Sequence, residues 1–411
     1  MKKWLLFASL ITAYFALAAH DGTASGFRLP DQDAKALGMG GAFTAMADNP
    51  SAVWYNPAGI TQLDGTRASA GIITIYPILT HENTDGTTDV ADRKLFLQPA
   101  LFGTTTLNDR MTLGLGLNSP FGLSTEWSAF SETSSVATLS RVTTINLNPN
   151  VAYKMNNRLS LALGLDYIRL DATLDRTIAP GVLLSLKGNG DGLGVNGAAK
   201  FRATDDLDLG LSYRSRIKIR VDGDAEVGPL GLSNSAHTEI TLPDIILVGA
   251  SYKASDKLTL NSDLEYTWWS TYDRLEIEST TILVLNQLSG GPPTNTDVEQ
   301  REWKNSWILR IGSQYRISDE WMLRAGLLYD KNPVPSERFE TSLPDSDRQG
   351  VTIGSGYTTG NVTIDGAYMY LRFSTRHITN SLAGGNSPDP SLNGTYKSQA
   401  HLLGLTIAYK F

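Results

Sequence analysis

The sequence contains no cysteine, so disulfide bonds, thiolate metal sites and cysteine nucleophiles are excluded. It also has no excess of basic charge, because 35 Lys and Arg residues face 42 Asp and Glu residues, giving a formal net charge of -7. A nucleic-acid phosphate backbone is held by a basic surface, so no nucleic-acid partner is expected. Beyond residue 24 there is no uncharged apolar run of about 18 residues, which excludes a membrane-spanning helix in the mature chain.

The one long apolar run lies at the N-terminus. Met1-Lys2-Lys3 is basic, the stretch from Trp4 to Ala19 is apolar, and small residues follow. This order is typical of a secretory signal peptide, and the run is too short for a membrane anchor. We predict a signal peptide over 1–24 with cleavage after Ala24, although Ala18 also fits the small-residue rule. An exported protein is therefore expected.

From residue 66 onward the chain alternates between apolar and polar residues in segments of ten or more, which is the period of a strand with two unlike faces. One such segment sets Leu159, Leu161, Leu163, Leu165 and Tyr167 against Ser160, Ala162, Gly164 and Asp166. Short polar turns are found at 108–110, 156–158, 204–206, 255–257, 318–320 and 359–361. Between them, long loops are expected at about 80–90, 122–138, 177–187, 222–236, 278–300, 332–346 and 377–395. Six turns and seven loops join fourteen strands.

The alternation of short and long connections selects one architecture. A soluble sandwich or propeller does not predict long strands whose short turns all lie at one end. An outer-membrane barrel does, because it has an even strand number, short periplasmic turns, long outer loops and an apolar outer face. We therefore predict an all-β fold, a 14-stranded antiparallel transmembrane β-barrel over 66–411. Tyr153, Tyr213, Tyr252 and Tyr315 precede short turns and are expected to form an interfacial girdle.

Residues 25–65 do not read as strands. They are rich in Ala and Gly, and short helices are expected over Asp33–Leu37 and around Pro50–Tyr55, the second capped by Asn49. A fourteen-stranded barrel is too wide for its own side chains to fill, so this stretch is predicted to fold inside it as an N-terminal hatch.

Several segments together resemble the FadL family of outer-membrane long-chain fatty acid transporters, which includes TodX-like transporters of aromatic hydrocarbons. They are Ser25-Gly26-Phe27, the run ending in Asn56-Pro57-Ala58-Gly59, NSPFGLSTEW at 118–127 and NLNPNVAY at 146–153. The resemblance implies passive uptake: a hydrophobic molecule enters among the outer loops, the hatch shifts, and the molecule leaves sideways into the membrane at a kink in the third strand. Phe411 ends an alternating apolar segment, and in outer-membrane proteins generally such an end resembles the signal read by the barrel-assembly machinery. Outer-membrane lipids and lipopolysaccharide are expected around the barrel.

The candidate gate residues lie in two places. Pro120 cannot donate to a strand ladder and Gly122 often marks a bulge, so this pair predicts an interruption of the wall, although a plain strand end gives the same pattern. The family resemblance matches Asn56, Pro57 and Ala58 to the hatch motif that touches the kink.

The candidate substrate-binding residues are chosen by strand parity. Arg176 shares the inward parity of Ser160 and Asp166, and the resemblance matches it to the arginine that meets a fatty acid carboxylate; a plain ion pair with an acid is the alternative. Ile168, Leu170 and Leu174 share that parity and indicate an apolar pocket. Phe121 is a candidate for lining the route with Phe27, Phe43 and Trp54, and ordinary hatch packing is the alternative for all four. Lys304 and Arg310 are weaker candidates for a second cation, on the tenth strand opposite an outward row that contains Trp303.

Other chemistry is not supported by the sequence. The run Gly38-Met39-Gly40-Gly41 has no preceding strand and is not a nucleotide loop. The five histidines lack metal-ligand spacing, so no cofactor or metal is expected, and His401 shares the outward parity of Phe411, which disfavours a Ser-His hydrolase. A transporter of long-chain fatty acids is the leading interpretation; a hydrocarbon transporter, a general porin and an outer-membrane lipase remain as alternatives.

Overall fold

The computed structural model describes residues 26–382 and 384–411. The predicted signal peptide over 1–24 lies outside the described residues. The described chain is a closed, 14-stranded antiparallel β-barrel, which confirms the predicted fold class. The first and last wall strands are paired from Arg67 with Lys410 to Asn83 with Gly394, so the sheet closes on itself.

Nine wall strands are continuous in the described residues: β1 (Thr66–Asn83), β3 (Phe96–Asn108), β6 (Leu139–Lys154), β7 (Leu159–Ala179), β8 (Val182–Thr204), β17 (Trp321–Asp330), β18 (Arg348–Thr359), β19 (Val362–Phe373) and β21 (Gly394–Lys410). The other five are each built from two segments: β4 (Met111–Asn118) with β5 (Gly122–Glu126), β9 (Leu207–Arg214) with β10 (Ile217–Val227), β11 (Leu232–Leu242) with β12 (Ile245–Lys253), β13 (Leu258–Thr267) with β14 (Arg274–Ser279), and β15 (Thr296–Gln300) with β16 (Ser306–Arg316). Two short strands lie outside this count: β2 (Thr88–Val90) pairs with the last residues of β1, and β20 (Arg376–Ile378) pairs with the first residues of β21.

The two faces of the wall follow the sequence alternation. On β7, Leu163 is 75% exposed whereas Asp166 and Leu170 are buried, so the odd-numbered leucines face outward and the even-numbered residues face the interior. Tyr153 and Tyr315 are exposed near short turns, where the girdle was expected, and Tyr252 is partly buried beside one. The prediction for Tyr213 is wrong: it is exposed, but it lies at the end of β9 that is farther from the 204–206 turn. None of the helices in the described residues is long and apolar enough to cross a membrane.

Two of the expected long loops are wrong. Over 177–187 the strands β7 and β8 continue to a two-residue turn, and over 222–236 the strands β10 and β11 are separated only by residues 228–231. Gly and Asp favour loops in sequence, but here the strand ladder satisfies their backbone groups. Outward charges along these extensions pair with one another, as Arg220 does with Asp222 at 2.9 Å.

Residues 26–65 lie inside the barrel, and this inner segment is almost wholly buried. It forms α1 (Ala34–Leu37), capped by the Asp33 side chain, α2 (Ala52–Tyr55) and a 3-10 helix (Pro57–Gln62). The cap expected at Asn49 falls at Ser51, whose backbone N–H and hydroxyl both donate to the Asn49 side chain. The remaining helices lie in the outer connections: α3 (Thr280–Leu288) and 3-10 turns at Glu132–Ser135, Gly228–Leu230, Trp269–Thr271, Ser336–Arg338 and Pro390–Leu392.

Hydrogen bonds fix the inner segment to several sides of the wall. The backbone N–H groups of Phe43 and Thr44 both donate to the Asp263 carboxylate at 2.8 Å. On other strands, Thr406 accepts from the Ala34 N–H at 3.0 Å and Thr352 donates to the Gly38 carbonyl at 3.0 Å. Because these contacts reach β13, β21 and β18, the segment obstructs the lumen.

Candidate functional site

The third wall strand is interrupted at residues 119–121, where Pro120 and Gly122 predict a break. Asn118 at the end of β4 pairs with Asn146, and Gly122 at the start of β5 pairs with Thr143, so three residues of this strand stand opposite two residues of β6. The extra residue bends the strand locally, as in a β-bulge. We call residues 119–121 the wall break.

The break leaves a gap in the wall on the side of β3. Pairing between β3 and β4 stops at Leu101 with Leu117, and β5 forms its described strand ladder with β6. The outer part of β3, from Phe96 to Ala100, is paired with β1 on its other edge. Between β3 and β5 the barrel therefore lacks the backbone ladder that closes it elsewhere.

The inner segment covers this gap from within. Arg28 forms a β-bridge with Phe121, the Leu29 N–H donates to the Pro120 carbonyl at 2.9 Å, and the Gly122 N–H donates to the Phe27 carbonyl at 2.9 Å. Two side-chain amides also bind the break: those of Gln32 and Gln98 donate to the Ser119 carbonyl at 3.0 and 3.1 Å. Residues 27–29 thus occupy the place of a missing strand, and we call them the patch.

The patch begins in an aromatic cluster. The Phe27 ring lies 4.9 Å from the Trp269 ring and 6.0 Å from the Trp303 ring, measured between centroids. Gly26 has a φ of 65°, and a Cβ there would lie 2.6 Å from Trp303, so both the backbone conformation and the space require glycine. The Gly26 N–H donates to the Asp345 carboxylate at 2.6 Å, and burial raises the pKa of Asp345 to about 7.

A cavity of about 510 Å³ lies beside the patch and reaches the break, and we call it the wall cavity. Its walls are mainly apolar and come from β1, β3, β5, β19 and β21, with Ile75, Leu79, Phe96, Leu97, Phe121, Leu123, Met369, Leu371, Phe373 and Leu402 among the residues in contact with it. Leu97 is 60% exposed and belongs to the outer face, whereas Met369 is fully buried in the interior. The cavity therefore extends through the wall.

The inner end of the wall cavity carries three arginines. Arg28 and Arg310 both pair with the buried Glu265, the second at 2.9 Å. Arg348 pairs with Asp330 at 2.9 Å through Nε, while its buried Nη2 has no hydrogen-bond partner in the part of the chain that the structure describes. Burial also raises the pKa of Asp31, which lines the same end, so this carboxyl is less inclined to ionise.

Arg176 faces the interior as predicted, but it already has two acidic partners. Its guanidinium lies 2.5 Å from Asp297 and 3.3 Å from Glu299. It lines a second cavity of about 110 Å³ together with Leu170 and Leu174, whereas Ile168 is buried in the cluster around Phe27. The structure thus brings Arg176, Leu170 and Leu174 together in the second cavity, whereas Arg310 and Phe121 line the wall cavity.

The predictions for Lys304 and Trp303 are wrong. The residues from Arg301 to Asn305 lie between β15 and β16 and do not belong to a strand, so parity does not govern them. Trp303 is 4% exposed and packs inward against Trp269, where an outward row was expected. Lys304 is exposed and borders neither the wall cavity nor the second cavity. Arg310, on the regular strand β16, faces inward as predicted.

Among the described residues, the hydrogen bonds of Asn56 in the hatch motif do not reach the break. Asn56 caps the 3-10 helix that contains Pro57 and Ala58, and its amide donates to the carbonyls of Thr44 and Ala199 at 2.8 and 3.0 Å. The expected contact with the kink is therefore wrong for Asn56, and the patch makes it instead. Sequence reasoning missed the bridge from Arg28 to Phe121 and the positions of Arg348 and Asp345 at the site. No local sequence pattern marks these residues, because their partners lie far away along the chain.

Comparison with known proteins agrees with this architecture. Residues 15–411 match the family model described as outer membrane protein transport protein (OMPP1/FadL/TodX). The chain is 25% identical over 423 residues to a long-chain fatty acid transport protein of Escherichia coli O6:H1, a match that covers 90% of this chain and 92% of the relative.

Solved structures share the fold. A Pseudomonas aeruginosa FadL homologue superposes with a TM-score of 0.82 at 20% identity, covering 94% of this chain and 100% of that one. The Ralstonia pickettii toluene transporter TbuX gives a TM-score of 0.71 at 16% identity, with 94% and 100% covered. The matched relatives are outer-membrane proteins, and the barrel described here has the corresponding architecture. This chain therefore belongs to the outer membrane protein transport family that contains OMPP1, FadL and TodX.

Proposed function

We propose that this chain takes up long-chain fatty acids and delivers them sideways through the wall break into the outer membrane. The observation that carries the proposal is the wall cavity, which joins a cationic inner end at Arg310 and Arg348 to an apolar opening between β3 and β5. A fatty acid has the matching chemistry, a carboxylate on a long apolar chain.

The apolar chain favours a sideways path. Each methylene exposed to water costs about 0.8 kcal/mol, so a long acyl chain is poorly carried by a water-filled pore. The residues along the wall cavity, such as Leu123 and Leu371, keep the chain out of water until it reaches lipid. A path along the barrel axis is obstructed by the inner segment.

The headgroup favours a fatty acid over a hydrocarbon. An unpaired carboxylate in an apolar cavity is strongly disfavoured, and the free Nη2 of Arg348 offers it a donor. A hydrocarbon makes no use of that donor. The hydrocarbon alternative is supported by the apolar lining and by the likeness to a protein named as a toluene transporter.

Passage requires the patch to move. Two backbone hydrogen bonds and the contacts of Phe27 hold it against the break. A net contribution of about 1 kcal/mol for each hydrogen bond is small enough for a bound ligand to offset. In this proposal residues 25–65 act as a hatch whose first residues leave the break when the substrate arrives.

Ligand identification tests the proposal. Native mass spectrometry of the protein purified from membranes should show a co-purified fatty acid, and isothermal titration in detergent should show oleate binding more tightly than oleyl alcohol or toluene. Binding of toluene without binding of oleate would instead support the hydrocarbon alternative. Hydrolysis of a lipid substrate by the pure protein would revive the lipase alternative.

A further inference from the structure

The outer mouth of the wall cavity carries a cation with no part in the path described so far. Arg141 lies on β6, where its cross-strand partner is Ser124 on β5, immediately beyond the wall break. It is exposed, and it also borders the wall cavity. In the ranges 26–382 and 384–411, its guanidinium has no hydrogen bond or ion pair assigned to it.

The charges around Arg141 leave it free for an anion. Lys94 is the neighbouring cation, and it pairs with Glu126 and lies 3.7 Å from Asp92. These two carboxylates are therefore engaged by Lys94. Several other outward cations of the wall are paired, as Lys218 is with Glu239 at 2.7 Å. Arg141 differs from them by having no acidic partner and by lining the mouth.

A departing fatty acid needs a cation at this place. Its acyl chain enters the membrane first, and its carboxylate must then leave Arg310 and Arg348 and cross an apolar stretch that includes Leu29 and Leu123. An unpaired charge is costly along that stretch. A long arginine side chain can lie along an apolar surface while its charged end stays in the polar interface.

We propose that Arg141 receives the carboxylate of the fatty acid as it passes the wall break, which makes Arg141 a specificity-determining residue for release. This role rests on the proposed function above. It lowers the barrier for acids and has no effect on neutral molecules. Arg141 acts after the inner cations, so it changes the rate of release and leaves equilibrium binding in the cavity unchanged.

The test compares release of an acid with release of its neutral analogue. Protein in liposomes is loaded with oleate or with oleyl alcohol, and transfer to the surrounding bilayer is followed by stopped flow. We expect Arg141→Met to slow oleate transfer about fivefold, the factor that corresponds to a strong exposed ion pair, and to leave oleyl alcohol transfer unchanged. Arg141→Lys keeps the charge and should retain most of the rate.

Arg372→Met is the matched control, because Arg372 is also an exposed arginine on the outer wall and lies on β19, away from the break. Its oleate transfer should equal that of wild type. Equal slowing of oleate and oleyl alcohol in Arg141→Met, or an unchanged oleate rate with normal oleate binding, would overturn the role of Arg141 alone. Failure of the wild-type protein to bind oleate would overturn the proposed function and this role together.

Discussion

At the scale of single residues, Arg176 and Arg348, two of the interior arginines, differ in the hydrogen-bond donors that they can offer a ligand. Arg176 is paired with both Asp297 and Glu299, whereas Arg348 has one carboxylate partner and a buried Nη2 without a hydrogen bond among the described residues. A carboxylate gains more from the donor that is unsatisfied. Arg348 is therefore the better candidate for the headgroup, although the sequence singles out Arg176.

The first prediction compares the two arginines directly. Arg348→Met should weaken oleate binding by about 1.5 to 3 kcal/mol, the range for hydrogen bonds to charged groups, and should leave binding of oleyl alcohol nearly unchanged. Arg176→Met should have the smaller effect on oleate. Isothermal titration of both variants decides the assignment, and a larger loss in Arg176→Met would return the headgroup to the second cavity.

The second prediction concerns Asp345, which accepts the Gly26 N–H at 2.6 Å. Burial raises its folded-state pKa from 3.8 to about 7. For a raised pKa, the favourable contribution is complete below about pH 4 and is lost as the pH rises through 7. Solvating the ionised carboxyl requires the buried region around it to open, so we expect the patch to loosen as the pH rises from about 4 through 7, seen as faster hydrogen exchange at residues 26–29 after correction for the intrinsic rate.

Asp345→Asn supplies the control for that pH dependence. Asparagine can still accept from Gly26 but does not titrate in this range. Its exchange rate at the patch, corrected in the same way, should be nearly constant with pH. A variant that keeps the wild-type pH dependence would show that another group is responsible, and Asp347, whose pKa burial raises to about 6, is the nearest in sequence.

At the scale of elements, the patch and the broken third strand depend on each other. The break exists because Pro120 and Gly122 interrupt β4 and β5, and the patch exists because the edge of β5 has backbone groups to satisfy. An unpaired strand edge facing lipid costs several kcal/mol for each unsatisfied group. The inner segment thus supplies the hydrogen bonds that β3 does not.

The third prediction perturbs the patch from its start. Gly26→Ala introduces a strained φ and a methyl group 2.6 Å from Trp303, so we expect the patch to detach and hydrogen exchange at Leu29 and Gly122 to rise at least tenfold, or by about 1.4 kcal/mol. Gly65→Ala is the matched control, since Gly65 has a φ of 69° and no atom within 4 Å of the added methyl group. Similar exchange in the two variants would mean that the aromatic cluster does not hold the patch.

At the scale of the whole molecule, the closed barrel and the inner segment lead to separate predictions. A closed barrel should give a strand-dominated circular dichroism spectrum in detergent and a shift in gel migration on heating. The physical reason is that the first and last strands are paired with each other, so unfolding cannot begin from a free terminal strand. A helical spectrum, or identical migration before and after heating, would contradict the architecture.

A fifth prediction concerns the obstruction of the lumen. Planar bilayers containing wild-type protein should pass only small ion currents. Asp263→Ala removes the acceptor of the Phe43 and Thr44 N–H groups and leaves two buried donors unpaired, so the current should rise. Asp319→Ala, in an exposed turn, should behave as wild type. Large steady currents from the wild-type protein would favour a general porin.

Much of the fold could be predicted because it depends on local periodicity. Alternation gave the inward parity of Arg176, Arg310 and Leu170, and the turn residues gave the strand number. The failures lie where no strand period operates. Lys304 and Trp303 sit between two strand segments, and the extensions over 177–187 and 222–236 have loop-like composition but are held by cross-strand pairing.

The sequence by itself determined the barrel, its two faces and the location of the wall break, because side-chain alternation and the special backbones of proline and glycine act over a few residues. Only the tertiary structure decided which groups meet. The bridge from Arg28 to Phe121 and the hydrogen bond from Gly26 to Asp345 join residues 93 and 319 positions apart. Such pairings are set by how the closed wall packs around the inner segment, and no local pattern encodes them.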